Sequence, residues 1–430
     1  MSFETISVIG LGYIGLPTAA MFAAYGKNVV GVDVNQHAVD TINRGEIHIV
    51  EPDLDAMVHK AVTDGKLKAV LTPEAADAFL IAVPTPFLPT KNESDIPQPD
   101  LKYIQAAAKA IAPVLKKGDL VILESTSPVG ATEKMADWLA EYRNDLTFPK
   151  THNEYSDIRI AHCPERVLPG HVVRELVEND RVIGGLTNKC SELAIELYKT
   201  FVQGDCVVTN ARTAEMAKLT ENSCRDVQIA FANELSIICD KLDIDVWELI
   251  SLANRHPRIN ILQPGPGVGG HCIAVDPWFI VSKTPEQAQL IHTARKVNDS
   301  KPQWVVDKVK TAIGEYLIAN PNETAKDIII ACYGLAFKAD IDDLRESPAM
   351  EITNQISDFH PGRVLVVEPN IKSIDIDSLE WTLVELEYAK KIADIHVLLV
   401  DHRTFFGSDF DGKIVDTKGI VKLKFKSTLN

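Results

Sequence analysis

The sequence predicts an α/β protein of two layered domains joined by a long central helix, and three observations carry that prediction. A strand, a glycine turn, a helix and a second strand open the chain. A second run of strand, glycine turn and helix lies toward its end, and an unbroken helical pattern separates the two. The 430 residues suffice for two or three domains, and the expected division is 1–208, 209–310 and 311–430.

TISVIG (5–10) is apolar and β-branched, YIGLPTAAMFAAYG (13–26) is spaced as a helix ending on glycine, and NVVGVD (28–33) is a second strand. The turn between them reads GLGYIG. Gly10 makes the tight turn, Gly12 lets the backbone approach a pyrophosphate seated on the helix N-terminus, and Gly15 lets the helix pack on the sheet. Asp33 ends the second strand, where a carboxylate accepts bonds from ribose hydroxyls and repels a 2′-phosphate. The unit is therefore a Rossmann-type fold for NAD rather than NADP. Strands at 78–86, 119–130 and 157–170 end in polar, proline-containing turns of the kind that forms the ligand edge of such a sheet. The first domain closes near the QGDCVV turn, 203–208.

A helical pattern from Thr213 to Leu242 places Glu215, Lys218, Asn222 and Arg225 along one face, among neighbours apolar enough to bury it. Such a helix suits a link between domains and a dimer contact. DIIIACYGLAFKADIDDLRESPAM (327–350) reads as strand, glycine turn, polar loop and helix start, followed by strands at 363–370 and 394–402. This is a second nucleotide-binding-type layer. The lysine-rich end, KLKFKSTLN, reads as a solvated tail.

Composition excludes several functions. A formal charge of −16 repels nucleic acid, so an anionic ligand has to be held by a few local cations. No apolar run reaches a membrane span and no leader is visible, so the expected location is the cytoplasm. Seven cysteines without a CxxC pair argue against a disulfide framework. One of them stands apart, in PGPGVGGHCIAVDPW (264–278), where Cys272 follows a glycine run and precedes Asp276 by four residues. His271 adjoins it, yet no second ligand pair has zinc spacing, so no metal is expected. A thiolate beside a dinucleotide fold suits more than alcohol oxidation. An aldehyde has no hydride to release until a nucleophile adds to its carbonyl. The thiohemiacetal then loses a second hydride, and the thioester is hydrolysed by an activated water. Asp276 is placed to orient thiol or water, and Lys218 to stabilise an oxyanion. Spacing alone leaves the nucleophile and a small buried hydrophobe as equal readings of Cys272.

The motifs VIGLGYIGLP, ESTSPVG, CPERVLPG, AEMAKLTEN, GPGVGGHCIAVDP and GLAFKADIDDLRESP occur in that order over essentially the whole chain. Together they resemble the nucleotide-sugar 6-dehydrogenases, which oxidise a UDP-hexose to its uronic acid with two NAD. The resemblance implies an N-terminal NAD domain, a central helix carrying a homodimer interface and a C-terminal Rossmann-like UDP-binding domain. It makes Cys272 the thioester nucleophile, Lys218 and Asn222 oxyanion and substrate contacts, and Asp276, Thr126 and Glu165 the groups that manage water and protons. Lys338 and Arg258 would contact the UDP-sugar, with Arg258 acting across the dimer interface in some members. Arg166, Val167, Leu168 and Gly269 would line the substrate beside Glu165. Tyr13, Ile14, Thr85 and Thr126 would complete the cofactor contacts begun by Gly10, Gly12, Gly15 and Asp33, and Arg345 would reach the cofactor from the C-terminal domain. These are the local cations that the net charge demands.

Two departures from the UDP-glucose branch, at Pro169 and in GGHC, point to the N-acetylated branch. There the implied substrate is UDP-N-acetyl-D-mannosamine, and the product serves surface polysaccharide such as enterobacterial common antigen. UDP-N-acetylglucosamine or UDP-glucose would share almost every motif. A β-hydroxyacid dehydrogenase would need neither Cys272 nor the second α/β domain. A non-catalytic NAD-responsive protein would not need Lys218, Cys272 and Asp276 together. Simpler roles stand beside three of these assignments: Thr126 as a helix cap, Glu165 as a partner of Arg166 or Arg181, and Arg345 as a partner of Asp342, Asp343 or Glu346. The other six cysteines, Cys163, Cys190, Cys206, Cys224, Cys239 and Cys332, are read as packing residues.

Overall fold

A computed structural model of the chain describes residues 3–49, 51–90, 92, 95–168, 170–270, 272–371 and 381–421. Pro169, His271 and the lysine-rich end lie outside them. The chain forms two compact units, Met1–Glu221 with Trp278–Pro285, and Asn222–Pro277 with Glu286–Asn430.

In the first unit, the central strands read as apolar runs and are buried on both faces, while the two strands at the sheet's edges are partly exposed. The strands are β1 (Thr5–Ile9), β2 (Asn28–Val32), β3 (Leu67–Val70), β4 (Ala78–Ile81), β5 (Leu120–Leu123), β6 (Arg159–His162), β7 (Arg181–Gly185) and β8 (Cys206–Asn210), in the sheet order β3-β2-β1-β4-β5-β6-β7-β8. All neighbours pair in parallel except β6 and β7. Alternation along each strand feeds two cores: Ile6, Val8 and Leu80 enter one, while Ile9, Phe79 and Ile81 enter the other. The sequence reading had no place for β3 or β7. The first is four residues long with a lysine inside it, and RVIGG ends in two glycines that weaken any strand signal. The strand expected over 157–170 stops at His162, because Pro164 cannot continue a ladder.

Strand order reverses between β1 and β4, so the loops leaving these strands border a crevice at the sheet's carboxyl edge. The turn after β1 is tight. Gly10 has φ 92°, and a Cβ there would lie 2.5 Å from the Ala82 carbonyl oxygen. A Cβ at Gly15, the first residue of helix α1 (Gly15–Ala24), would lie 1.8 Å from the Gly10 oxygen.

The second unit carries a five-stranded parallel sheet of β9 (Ile330–Tyr333), β10 (Val364–Val367), β11 (Thr382–Leu383), β12 (Ile395–Leu398) and β13 (Lys413–Asp416), ordered β11-β10-β9-β12-β13. Its switch point falls between β9 and β12.

Ahead of α2 (Ala131–Tyr142), Thr126 does not cap the helix. Gly130 precedes the helix with φ 94°, and the Glu215 carboxylate accepts the Gly130 and Thr132 N–H groups at 2.6 and 2.8 Å. Glu215 lies on α3 (Ala211–Lys241), the central helix. That helix is not buried all round: Arg225, Cys224, Phe231 and Ile238 are exposed, which corrects the packing role expected of Cys224. Between α3 and helix α5 (Gln289–Ala319), with α4 (Asp276–Lys283) before it, two cations are fully buried: Lys301, and Arg295, which is bonded to the buried Asp226 at 2.6 Å. Among the described residues no helix is long and apolar enough to cross a membrane.

Candidate functional site

The turn after β1 has the geometry that a dinucleotide's pyrophosphate would need. The Gly10 N–H donates to Val32 O at 2.8 Å, and the Leu11 N–H donates to the Asp33 carboxylate at 2.9 Å. The other Asp33 oxygen accepts the Asn35 N–H at 2.9 Å, so the acid that would meet the ribose also fixes the turn. A Cβ at Gly12 would meet nothing within 4 Å, which leaves open backbone where a pyrophosphate would approach. No acid sits in the first turn of α1 to oppose an anion. Thr85, on the loop after β4, has a buried hydroxyl with no hydrogen-bond partner among the described residues. An open glycine, an unopposed helix N-terminus and a donor awaiting a partner fit NAD. Tyr13 is 39% exposed, and Ile14 and Thr126 are half-buried.

Behind the ends of β5 and β6 lies a buried ionisable cluster. Arg181 Nη1 donates to Glu165 Oε2 at 2.6 Å, both residues being buried, and Glu165 Oε1 accepts the Arg166 N–H at 2.7 Å. Arg166 is the partner of Glu221 at 2.6 Å. The ion-pair reading of Glu165 thus describes its contacts. Beside it Tyr198 donates to Glu124 at 2.6 Å, with Arg181 over the Tyr198 ring at 5.1 Å. Burial, and then the nearby Glu165 charge, push Glu124 up to about 7 against the pull of Arg181 and Tyr198. Burial also raises the Cys163 thiol to about 12, which makes it inert. Val167 is half-buried and Leu168 is 46% exposed.

The second unit carries the cysteine. Cys272 is exposed, one turn ahead of α4, and its carbonyl accepts the N–H groups of Val275 and Asp276 at 3.1 and 2.9 Å. Asp276 is 3% exposed and accepts a 2.5 Å bond from Asn222 Nδ2. Two of the residues singled out in the sequence, 54 positions apart, therefore meet. Half-buried Lys218 lies four residues before Asn222 along α3. The glycine run is needed where it lies: a Cβ at Gly269 would sit 2.4 Å from Glu346 O, and Gly267 and Gly270 have φ 149° and 82°. Upstream, the Gly265 N–H is held by Asn233, which donates to the buried Asn298, and Asn298 in turn donates to Asp226. Among the described residues no group of three acidic, His or Cys side chains forms a metal site.

The turn after β9 repeats the first. The Gly334 N–H donates to Val367 O at 2.8 Å, and the Leu335 N–H donates to Glu368 at 2.7 Å. Burial raises the Glu368 pKa, but bonds from His402, Leu335 and Asn370 outweigh it and hold the carboxyl below its ordinary value. Lys338 is exposed in the following loop, and Arg345 makes a two-pronged pair with Asp343 at 2.6 and 2.9 Å. Arg258 is exposed. The sequence reading missed Glu368 and His402. The signal for Glu368 was present, since RVLVVE ends as NVVGVD does, with an acid at the end of the second strand.

The chain is similar over its length to known proteins. It is 64% identical over 425 residues to the UDP-N-acetyl-D-mannosamine dehydrogenase of Yersinia pestis, covering 98% of this chain and 100% of that one. It is 62% identical over 428 residues to the NDP-N-acetyl-D-galactosaminuronic acid dehydrogenase of Ralstonia nicotianae, covering 99% and 98%. The solved UDP-N-acetyl-mannosamine dehydrogenase of Staphylococcus aureus matches it with a TM-score of 0.82 at 43% identity, over 97% and 96% of the two chains. Residues 4–202 match the NAD binding domain of one family, residues 212–300 its central domain and residues 331–423 its UDP binding domain. With those three domains in order behind an open glycine turn and an acid-ended second strand, the chain belongs to the UDP-glucose/GDP-mannose dehydrogenase family, as an NAD-dependent enzyme.

Proposed function

We propose that this enzyme oxidises the sixth-carbon hydroxyl of UDP-N-acetyl-D-mannosamine to the carboxylate of UDP-N-acetyl-D-mannosaminuronic acid, in the cytoplasm and for surface polysaccharide such as enterobacterial common antigen. The observation that carries the chemistry is the exposed Cys272 one turn from a buried Asp276 whose carboxylate is fixed by Asn222. Similarity to the Yersinia relative supports the sugar. Gly10, Gly12, Tyr13, Ile14, Gly15, Asp33, Thr85 and Thr126 would hold NAD, with Arg345 reaching it. When bound, NAD supplies the acceptor for the hydride that leaves in each of two oxidations.

The remaining chemistry belongs to side chains. The Cys272 thiolate, ahead of a helix N-terminus that favours negative charge, adds to the aldehyde carbon, and the new oxyanion is stabilised by Lys218 and Asn222. Loss of hydride from that thiohemiacetal leaves a thioester on Sγ. Asp276 takes one proton from water as the oxygen attacks the thioester carbon, and the C–S bond breaks to return the thiolate and release the carboxylic acid, which gives its remaining proton to solvent as the carboxylate leaves. Glu165, ion-paired with Arg181, manages water and protons beside Asp276, and Thr126 assists it. Lys338 and Arg258 bind the UDP-sugar, with Arg166, Val167, Leu168 and Gly269 lining it. Cys224, Phe231 and Ile238 are exposed at heptad spacing on α3, and this stripe supports a homodimer formed through the central helix. Three functional regions follow, 1–208, 209–310 and 311–430.

The test is the NADH formed per UDP-N-acetyl-D-mannosamine consumed, with the product mass recorded. Two NADH and a uronate are expected, and one NADH would remove the thioester. Cys272→Ser is expected to keep NAD binding and lose uronate formation; undiminished uronate would sink the nucleophile. The Ralstonia relative favours a second reading, an N-acetyl-galactosamine nucleotide as substrate, and running both epimers decides between them.

A further inference from the structure

The loop between Gly334 and helix α6 (Pro348–Phe359) carries Lys338 and Arg345 and forms no regular structure. Asp340 and Glu346 within it have φ 60° and 50°, a region uncommon for residues with a Cβ, so the surroundings hold the loop. One tie to its middle runs through an imidazole. His402 is fully buried beside the Phe405 ring, at the switch point of the sheet. The Asp340 N–H points at its Nδ1 at 3.0 Å. A backbone N–H can only donate, so Nδ1 is an acceptor and the ring proton resides on Nε2. Nε2–H faces Glu368 Oε2 at 3.1 Å, and the same oxygen accepts the Leu335 and Ala336 N–H groups at 2.7 and 3.1 Å. Asn370 adds a second donor to Nδ1 at 3.1 Å, while Arg403 holds the Asp340 carboxylate through its N–H and its guanidinium, each at 3.1 Å. The imidazole and Glu368 thereby tie the start of the loop, at residues 335 and 336, to its middle at Asp340, two residues beyond Lys338.

We infer that His402 is a positioning residue for the UDP-sugar: by accepting the Asp340 N–H on Nδ1 it fixes the loop that presents Lys338 to the nucleotide's phosphates. This rests on the proposed contact between Lys338 and the UDP-sugar.

Two substitutions separate the two ring nitrogens. An Asn side-chain oxygen reaches where Nδ1 lies, so His402→Asn keeps an acceptor for Asp340 and loses the donor to Glu368. A Gln amide nitrogen reaches where Nε2 lies, so His402→Gln keeps that donor and loses the acceptor. Calorimetric titration of the full chain with UDP is expected to give affinity close to the parent's for His402→Asn, and about tenfold weaker for His402→Gln. KM for the UDP-sugar should rise in the Gln variant while kcat and KM for NAD hold. Equal UDP affinity in the two variants would overturn the role. Lys338→Met, titrated alongside, separates this inference from the reading beneath it. Weak binding there with parent-like binding in His402→Gln overturns the positioning role alone, whereas parent-like binding in Lys338→Met overturns the Lys338 contact and the inference with it. Should His402→Gln not fold, amide exchange in the parent decides. The Asp340 N–H is expected to be protected without UDP and further protected with it, and rapid exchange in both states would refute the inference.

Discussion

The two glycine turns, GLGYIG at residue 10 and GLAFKA at residue 334, use one device for two purposes. In both, a glycine with φ 92° leaves the first strand, donates its N–H to the end of the second, and is followed by a leucine N–H held by the acid that ends that strand, Asp33 or Glu368. They part at the third residue. Gly12 has open space above it and α1 begins three residues later, whereas Ala336 is 1% exposed and the next helix waits until Pro348. Asp33 stays partly exposed, while Glu368 is sealed against His402. The first turn offers an anion open backbone and a helix N-terminus; the second closes its backbone and sends out a loop bearing cations. Two nucleotides can thus be held by the same fold without competing for the same chemistry.

The sharpest way to break the comparison is at the shared glycine. A Cβ at Gly334 would lie 2.3 Å from Val400 Cβ at a positive φ, so Gly334→Ala is expected to cost about 3 kcal/mol or more in a denaturant titration. A loss below about 1 kcal/mol would show that the second turn tolerates the change.

Next come the two units' buried charges, which oppose each other. Glu124, raised from 4.5 to about 7 in the fold, contributes fully below pH 4.5, and its contribution is lost as pH rises toward 7. Lys301, lowered from 10.5 to about 7 by burial and the Lys308 charge against the pull of Asp240, contributes fully above 10.5, and that contribution is lost as pH falls toward 7. Each term has a limiting slope of about 1.4 kcal/mol per pH unit. Unfolding midpoints against pH should flatten between about 4.5 and 7 in Glu124→Gln, and between about 7 and 10.5 in Lys301→Met. A parent-like slope in either variant would assign the dependence elsewhere.

The smallest changes separate binding from folding. Gly12→Ala turns the first turn into a copy of the second, and with nothing within 4 Å it should leave the melting temperature in place. NAD affinity should fall about tenfold, because the added methyl occupies the approach to the phosphates. Asp33→Ala should weaken NAD by a similar factor with UDP affinity retained, and unchanged NAD affinity would deny the carboxylate its ribose contact.

Much of this contrast is legible in the sequence, because it is local. A β-branched run, glycines at fixed offsets and an acid ending the next strand are set by φ, by Cβ clearance and by strand length, each acting over a few residues. The same locality explains what was missed. Four-residue β3 and glycine-ended β7 carry too little periodicity to stand out, and Cys224 reads as a packing residue until the exposed face of α3 is known. Six ordered motifs named the candidate residues without saying what each touches. Thr126 and Glu165 show the gap: the first turned out not to cap α2, and the second proved to be bonded to Arg181.

The sequence by itself therefore determined the two α/β layers, the NAD turn with its acid, and the isolation of Cys272 behind a glycine run, since backbone conformation and hydrophobic period fix these locally. Only the tertiary structure decided which distant groups share a hydrogen bond. Asn222 reaches Asp276 across 54 residues, Glu215 caps a helix 83 residues away, and His402 holds a loop 62 residues before it. Each of these bonds satisfies a polar group that burial would otherwise leave at high cost, and the partner is chosen by how strands and helices pack rather than by any spacing along the chain.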